Sequence, residues 1–134
     1  MLASTAAFLA QAIYAQDRLE EAEQFCQMGR EVAADEDLAA QVVLIGTSAK
    51  ILAREGRGEE AEALAREAVG LAERTDLLTQ RGETFLDLAE VLQLNGQSSE
   101  AENAIRAGLK LYEQKGDLVS AGRARMRLEQ VCSA

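Results

Sequence analysis

The chain of 134 residues contains no proline, no tryptophan and no histidine. Without histidine, histidine-based triads and zinc sites are excluded. Few residues are β-branched, and Ala, Leu, Glu and Arg dominate. These side chains lose little rotamer freedom in a helix, so the composition favours an all-α chain. No apolar run approaches the roughly 18 residues that a membrane span needs. Residues 1–16 carry no charged side chain. Lacking a positive n-region, Met1 to Tyr14 reads as structure and not as a signal peptide. Cysteine occurs twice, at Cys26 and Cys132, each on an apolar helical face where a small buried hydrophobe is expected. Such usage, with no disulfide between the two, fits a reducing, cytoplasmic compartment.

Apolar residues make up 48% and charged residues 28%, ordinary for one soluble domain with a real core. The net charge of −9 is uneven: residues 17–102 hold 20 acids and 8 bases, residues 103–134 hold 3 acids and 6 bases. An acidic body argues against nucleic acid as a partner, because a phosphate backbone needs a basic surface. Neither a membrane partner nor a cofactor is expected.

The strongest internal signal is a repeat. Arg57-Gly58-Glu59-Glu60-Ala61-Glu62 is matched 39 residues earlier by Arg18-Leu19-Glu20-Glu21-Ala22-Glu23, and 40 residues later by Gln97-Ser98-Ser99-Glu100-Ala101-Glu102. Apolar spacings of three and four predict helices over 3–16, 19–34, 38–55, 58–74, 77–94, 98–114 and 118–132. The second turns Ala22, Phe25, Cys26, Gly29, Val32 and Ala33 inward. Asp17 with Glu20, Asp37, Asp76, Ser99 with Glu102, and Asp117 are expected to cap helix starts. Gly56, Asn95-Gly96 and Lys115-Gly116 end helices. Glu59 and Glu60 in a first turn and Arg74 in a last turn match the helix dipole. Asp35-Glu36-Asp37 reads as a loop, since calcium loops spread their ligands over about a dozen residues around a glycine. Short connections imply antiparallel neighbours.

Aligned on Gly56, the units share small and apolar residues. They are Leu9, Ala10, Ile13, Ala22 and Gly29; then Ile45, Ala49, Leu52, Ala61 and Ala68; then Phe85, Leu88, Ala89, Leu92, Ala101 and Gly108. A glycine inside a helix costs roughly 1 kcal/mol against alanine. Gly29 and Gly108 therefore predict that the next helix lies against the backbone there. The order large, Leu, small, large in the first helix of a pair, with two small positions in the second, resembles the tetratricopeptide repeat across essentially the whole chain. That resemblance implies a right-handed α-solenoid in one domain, 1–134. Its helix pairs would cover about 3–37, 38–76 and 77–117, with a capping helix at 118–132. The period exceeds the usual length of about 34 and the closing proline is missing, which extra helical turns explain; a period near 40 also suits HEAT repeats. Residues 71–76 and 111–117 resemble the C-terminal repeat regions of large bacterial signalling proteins. There the repeats follow a P-loop ATPase module and a cyclase or DNA-binding output domain.

The two ends differ. In the last helix Leu118, Ala121, Ala124, Leu128 and Val131 point one way, and Arg123, Arg125, Arg127, Glu129 and Gln130 cover the rest, as a solenoid cap requires. The first helix is polar only at Ser4, Thr5, Gln11 and Gln16, which implies burial on several sides. The chain is thus expected to be the C-terminal piece of a longer array, with upstream repeats on helix 3–16. Alternatively that helix forms a homodimer, with Phe8 and Tyr14 as the self-association residues.

No catalytic constellation stands out, and an enzyme is not expected. Asp87 and Glu90 share a helix face but read as solvated, and Cys26 has no activating neighbour. The resemblance implies a concave groove for a peptide or helix. By position it would expose Ser4 and Gln11, then Lys50 and Arg54, then Glu83, Asp87, Glu90 and Gln93. Gly46 and Thr47 occupy the slots of the family's Lys/Asn clamp for acidic tails, so a tail of that kind is disfavoured. A groove basic then acidic suits a protein or peptide partner with both signs. Three roles remain open: an interaction module of a signalling protein, a sensor of a small peptide or molecule, and an oligomerisation element.

Overall fold

The structure, a computed structural model, describes residues 3–32 and 37–133. Among the described residues there are seven α-helices and no strand: α1 Ala3–Ala15, α2 Leu19–Val32, α3 Leu38–Arg54, α4 Gly58–Ala72, α5 Leu78–Leu94, α6 Ser98–Lys115 and α7 Leu118–Ser133. Helix α4 stops at Ala72, so Arg74 lies beyond its last turn and not in it.

Each tight turn needs one residue in the left-handed region, where a Cβ is costly. Gly56, Gly96 and Gly116 fill it with φ of 84°, 77° and 80°. Asp17, at φ 62°, holds the same place one repeat earlier. It therefore does not cap α2 as its spacing from Glu20 predicted; its carboxylate takes Arg54 Nη1 at 2.6 Å. Asp37 and Asp117 do cap, each Oδ1 accepting from a backbone amide, Ala40 at 3.2 Å and Ser120 at 3.1 Å. Asp76 does not: the Leu77 amide donates to Thr75 Oγ1 at 3.3 Å. At α6 the cap position is Gln97, which places Ser99 and Glu102 inside the helix and forms no capping box. Glu102 instead accepts from Arg106 at 2.7 Å. Ala33, Asp35 and Glu36 lie outside the described residues.

Successive helices pack on one another; α1, α3 and α5 also touch in series, and α5 touches α7. The backbones of α2, α4 and α6 do not approach each other. The odd-numbered helices thus form a contiguous inner layer and the even-numbered ones splay outward, a packing consistent with a helical solenoid. The repeated small residues make this possible. Ala10, Ala49, Ala89, Ala22, Ala61 and Ala101 are all 0% exposed, and Leu44, Ile51, Leu92 and Ile105 fill the space between the helices. Each such side chain contributes about 1.5–3 kcal/mol on burial.

Gly29 behaves as predicted: a Cβ there would meet Leu44 of α3 at 2.8 Å, and also Ala6 of α1 at 2.9 Å. Gly108 does not. Its Cβ would meet Leu86 and, at 2.9 Å, the carbonyl of Gly82, so the close neighbour is the preceding helix and not the next one. Three inward assignments also fail. Val32 and Leu118 are exposed, and Cys132 is exposed where Cys26 is buried, because α7 ends beyond the layer it packs on. The outer face of α7 is not a charged cover, since Leu118, Val119 and Met126 lie on it. No helix among the described residues is long and apolar enough to cross a membrane.

Candidate binding surface

The inner layer brings most of the expected groove residues together, but it spends their charges on one another. Lys50 Nζ of α3 lies 3.0 Å from Asp87 Oδ1 of α5, with the side chains only 13% and 20% exposed. Gly46 makes room for this pair: a Cβ there would lie 2.6 Å from Asp87 Oδ2. Burial pushes the Asp87 carboxyl above its ordinary range, against the pull of Lys50. Burial works against the Lys50 ammonium too, but Asp87 and Glu90 hold its pKa above the ordinary lysine value. The Asp87–Glu90 face is therefore not the solvated face expected from spacing alone.

Tyr14 is buried and not a free self-association residue, whereas Phe8 is 71% exposed. The Tyr14 hydroxyl donates to Glu90, joining α1 to α5 across α3. Its ring lies under Lys50 Nζ at 4.8 Å and the Arg54 guanidinium at 5.5 Å, a stacked pair of cation–π contacts. Burial, then the bond to Glu90, raise the phenol well above its ordinary pKa. The result is a clasp that ties three helices of the inner layer. A basic-then-acidic groove that would read both signs of a partner does not stand here. Gln93 is exposed beyond the clasp, Ser4 is exposed on α1, and Gly46 and Thr47 are buried. The Thr47 hydroxyl is buried with no hydrogen-bond partner among the described residues.

Beside the clasp the inner face opens into a cavity of about 200 Å³, lined by Gln11, Glu83, Asp87, Tyr112, Ser120, Arg123 and Arg127 among others. The repeat register builds it. Glu83 and Asp87 stand four apart on one side of α5, and 40 residues on Arg123 and Arg127 stand four apart at the same register of α7. Sequence reasoning placed these two arginines on the outside of a cap; extending the alignment by one unit would have found them. Glu83 is half-buried and takes no hydrogen bond or ion pair among the described residues. Burial and then the charge of Asp87 push its carboxyl up, and Arg123 pulls it back. Arg123 Nη2 reaches Ser120 Oγ at 3.2 Å, and Arg127 Nη1 reaches the Leu86 carbonyl at 3.5 Å, a weak contact. Both guanidiniums keep donors to spare, because each carries five N–H groups.

The cavity can hold a group carrying charge of either sign. Cys26 is no nucleophile, since burial pushes its thiol up. Compared with protein-family models and with curated proteins, the sequence matches none of them.

Proposed function

We propose that the chain is a non-catalytic, tetratricopeptide-like binding module, a right-handed solenoid of three helix pairs with α7 added, that holds a short peptide segment on its inner face. The observation that carries this reading is Glu83, an unpaired half-buried carboxylate beside Arg123 and Arg127 in one cavity. An unpaired buried charge costs stability, and a fold tolerates that cost where function needs the group. The Tyr14–Glu90 clasp crosses the face next to the cavity, so the face suits a peptide end or one or two side chains better than a whole helix. An anionic group would sit on the arginines and a cationic one on Glu83, each bond being charge-assisted. The resemblance of residues 71–76 and 111–117 supports a regulatory setting inside a larger bacterial signalling protein. The small volume of the cavity favours one second reading, a sensor of a small charged molecule.

Selection of a displayed random-peptide library on the chain should enrich one motif with a charged anchor. Arg127→Glu should abolish its binding while leaving the circular dichroism unchanged. If no motif is enriched, or if the variant binds equally well, the inner face is not the site. Thermal stabilisation by free amino acids with no enriched peptide would transfer the assignment to the small-molecule reading.

A further inference from the structure

The outer face of α7 repeats, position for position, the face of α5 that receives α6. On α5 that face is Gly82 and Leu86, both buried. The Tyr112 ring fills the space of the missing Gly82 side chain, 2.7 Å from where its Cβ would stand, and Leu86 lies against Gly108. Forty residues on, α7 carries Gly122 and Met126 at the same register, preceded by Val119. Nothing lies within 4 Å of a Cβ built at Gly122, and Met126 and Val119 are 61% and 73% exposed. The opposite side of α7, through Ala121, Ala124 and Val131, is buried in the array. Helix α7 therefore presents a docking face of the kind that α5 uses, without the helix that α5 has on it.

The flanks indicate what fits. Arg123 and Arg125 border the strip on its two sides, by their helical positions. Two α7 helices packed face to face would oppose these arginines to their copies, a like-charge contact that costs several kcal/mol of discrimination. A helix such as α2 or α4, each with four carboxylates against one arginine, meets them with the opposite sign. Glu129 stands where α5 has the buried Ala89, so the apolar strip covers the first part of α7 and ends there.

We propose that Val119, Gly122 and Met126 dock an amphipathic helix of a partner protein, with acidic flanks and a small residue four positions before an aromatic one, as Gly108 precedes Tyr112. The aromatic ring enters the gap at Gly122 and the small residue lets Met126 approach the partner backbone. This surface is separate from the inner-face cavity.

The test uses a side-chain-cross-linked helical peptide of residues 97–116 carrying Arg106→Glu and Lys110→Glu, because an uncross-linked helix of this length is marginal in water. Fluorescence anisotropy should show it binding to the full chain. Gly122→Gln and Met126→Glu should each weaken binding at least about tenfold, with melting temperatures kept near wild type. Absence of binding, or equal binding to both variants, overturns the proposal. So does a dimer in sedimentation that Met126→Glu dissolves, since that assigns the face to a second copy.

Discussion

Arg57–Glu60 and Lys50–Asp87 are both cation–carboxylate pairs, and the shorter of them matters less. The first, at 2.5 Å, lies in the repeated turn with side chains 54% and 60% exposed. The second, at 3.0 Å, lies on the inner layer with little exposure. Exposed pairs gain little in water, whereas breaking a buried pair leaves a charge without compensation. The stretch that recurs three times in the sequence is thus the turn that builds each unit. The groups with energetic and chemical consequence are the ones that differ from unit to unit.

Removing Lys50 should give the largest effect. Lys50→Met leaves Asp87 beneath α1 and α3 without its partner and should cost about 3–5 kcal/mol in urea unfolding. A loss no greater than that of an exposed pair would break the contrast between the two regions. Tyr14→Phe should cost about 1.5–3 kcal/mol, because the bond it deletes goes to a charged acceptor. If α1 were held only by its alanines, the same measurement would show almost no change.

Alkaline titration sharpens the contrast further. The folded-state pKa of Lys50 is raised, so its contribution is fully present below the ordinary lysine value of 10.5 and is lost as pH rises through the folded value. The raised phenol of Tyr14 acts with the same sign. Lys50→Arg keeps its charge throughout that range. Relative to its own neutral stability, it should hold out to higher pH than wild type when unfolding is followed by circular dichroism.

Glu83→Gln should move stability the other way, by roughly 1 kcal/mol. A carboxyl whose folded pKa is raised favours folding when protonated and withdraws stability as pH rises through the carboxylate range. The variant should therefore melt above wild type at pH 7 and level with it at pH 3, while losing affinity for any peptide held in the cavity. The smallest effect belongs to the repeated turn. Arg57→Ala should change stability by less than about 1 kcal/mol.

The helices were legible because burial imposes a period. Ala10, Ala49 and Ala89, with Ala22, Ala61 and Ala101, recur where helices cross, and all are fully buried. Helix starts were less legible, because an acid near a turn can cap, pair or take up a left-handed backbone. Asp37 and Asp117 cap, Asp17 does the other two, and short-range spacing does not distinguish them. The site was half legible. Gln11, Lys50, Arg54, Glu83, Asp87 and Glu90 were expected on one face, but their pairing depends on distances between helices. Tyr14 to Glu90 spans 76 residues of sequence and two helix pairs.

Local sequence alone settled the all-helical class, the order and near-limits of the elements, and the small residues at their crossings, since these depend on neighbours three, four and forty positions away. Which charges neutralise each other was decided by the closeness of α1 and α5 across α3. That proximity turned a supposed mixed-charge groove into a clasp with one cavity beside it. The exposure of α7 was decided the same way. Gly82 and Gly122 are the same residue at the same register; one is covered by Tyr112 and the other by nothing within 4 Å, because burial belongs to the array and not to the residue.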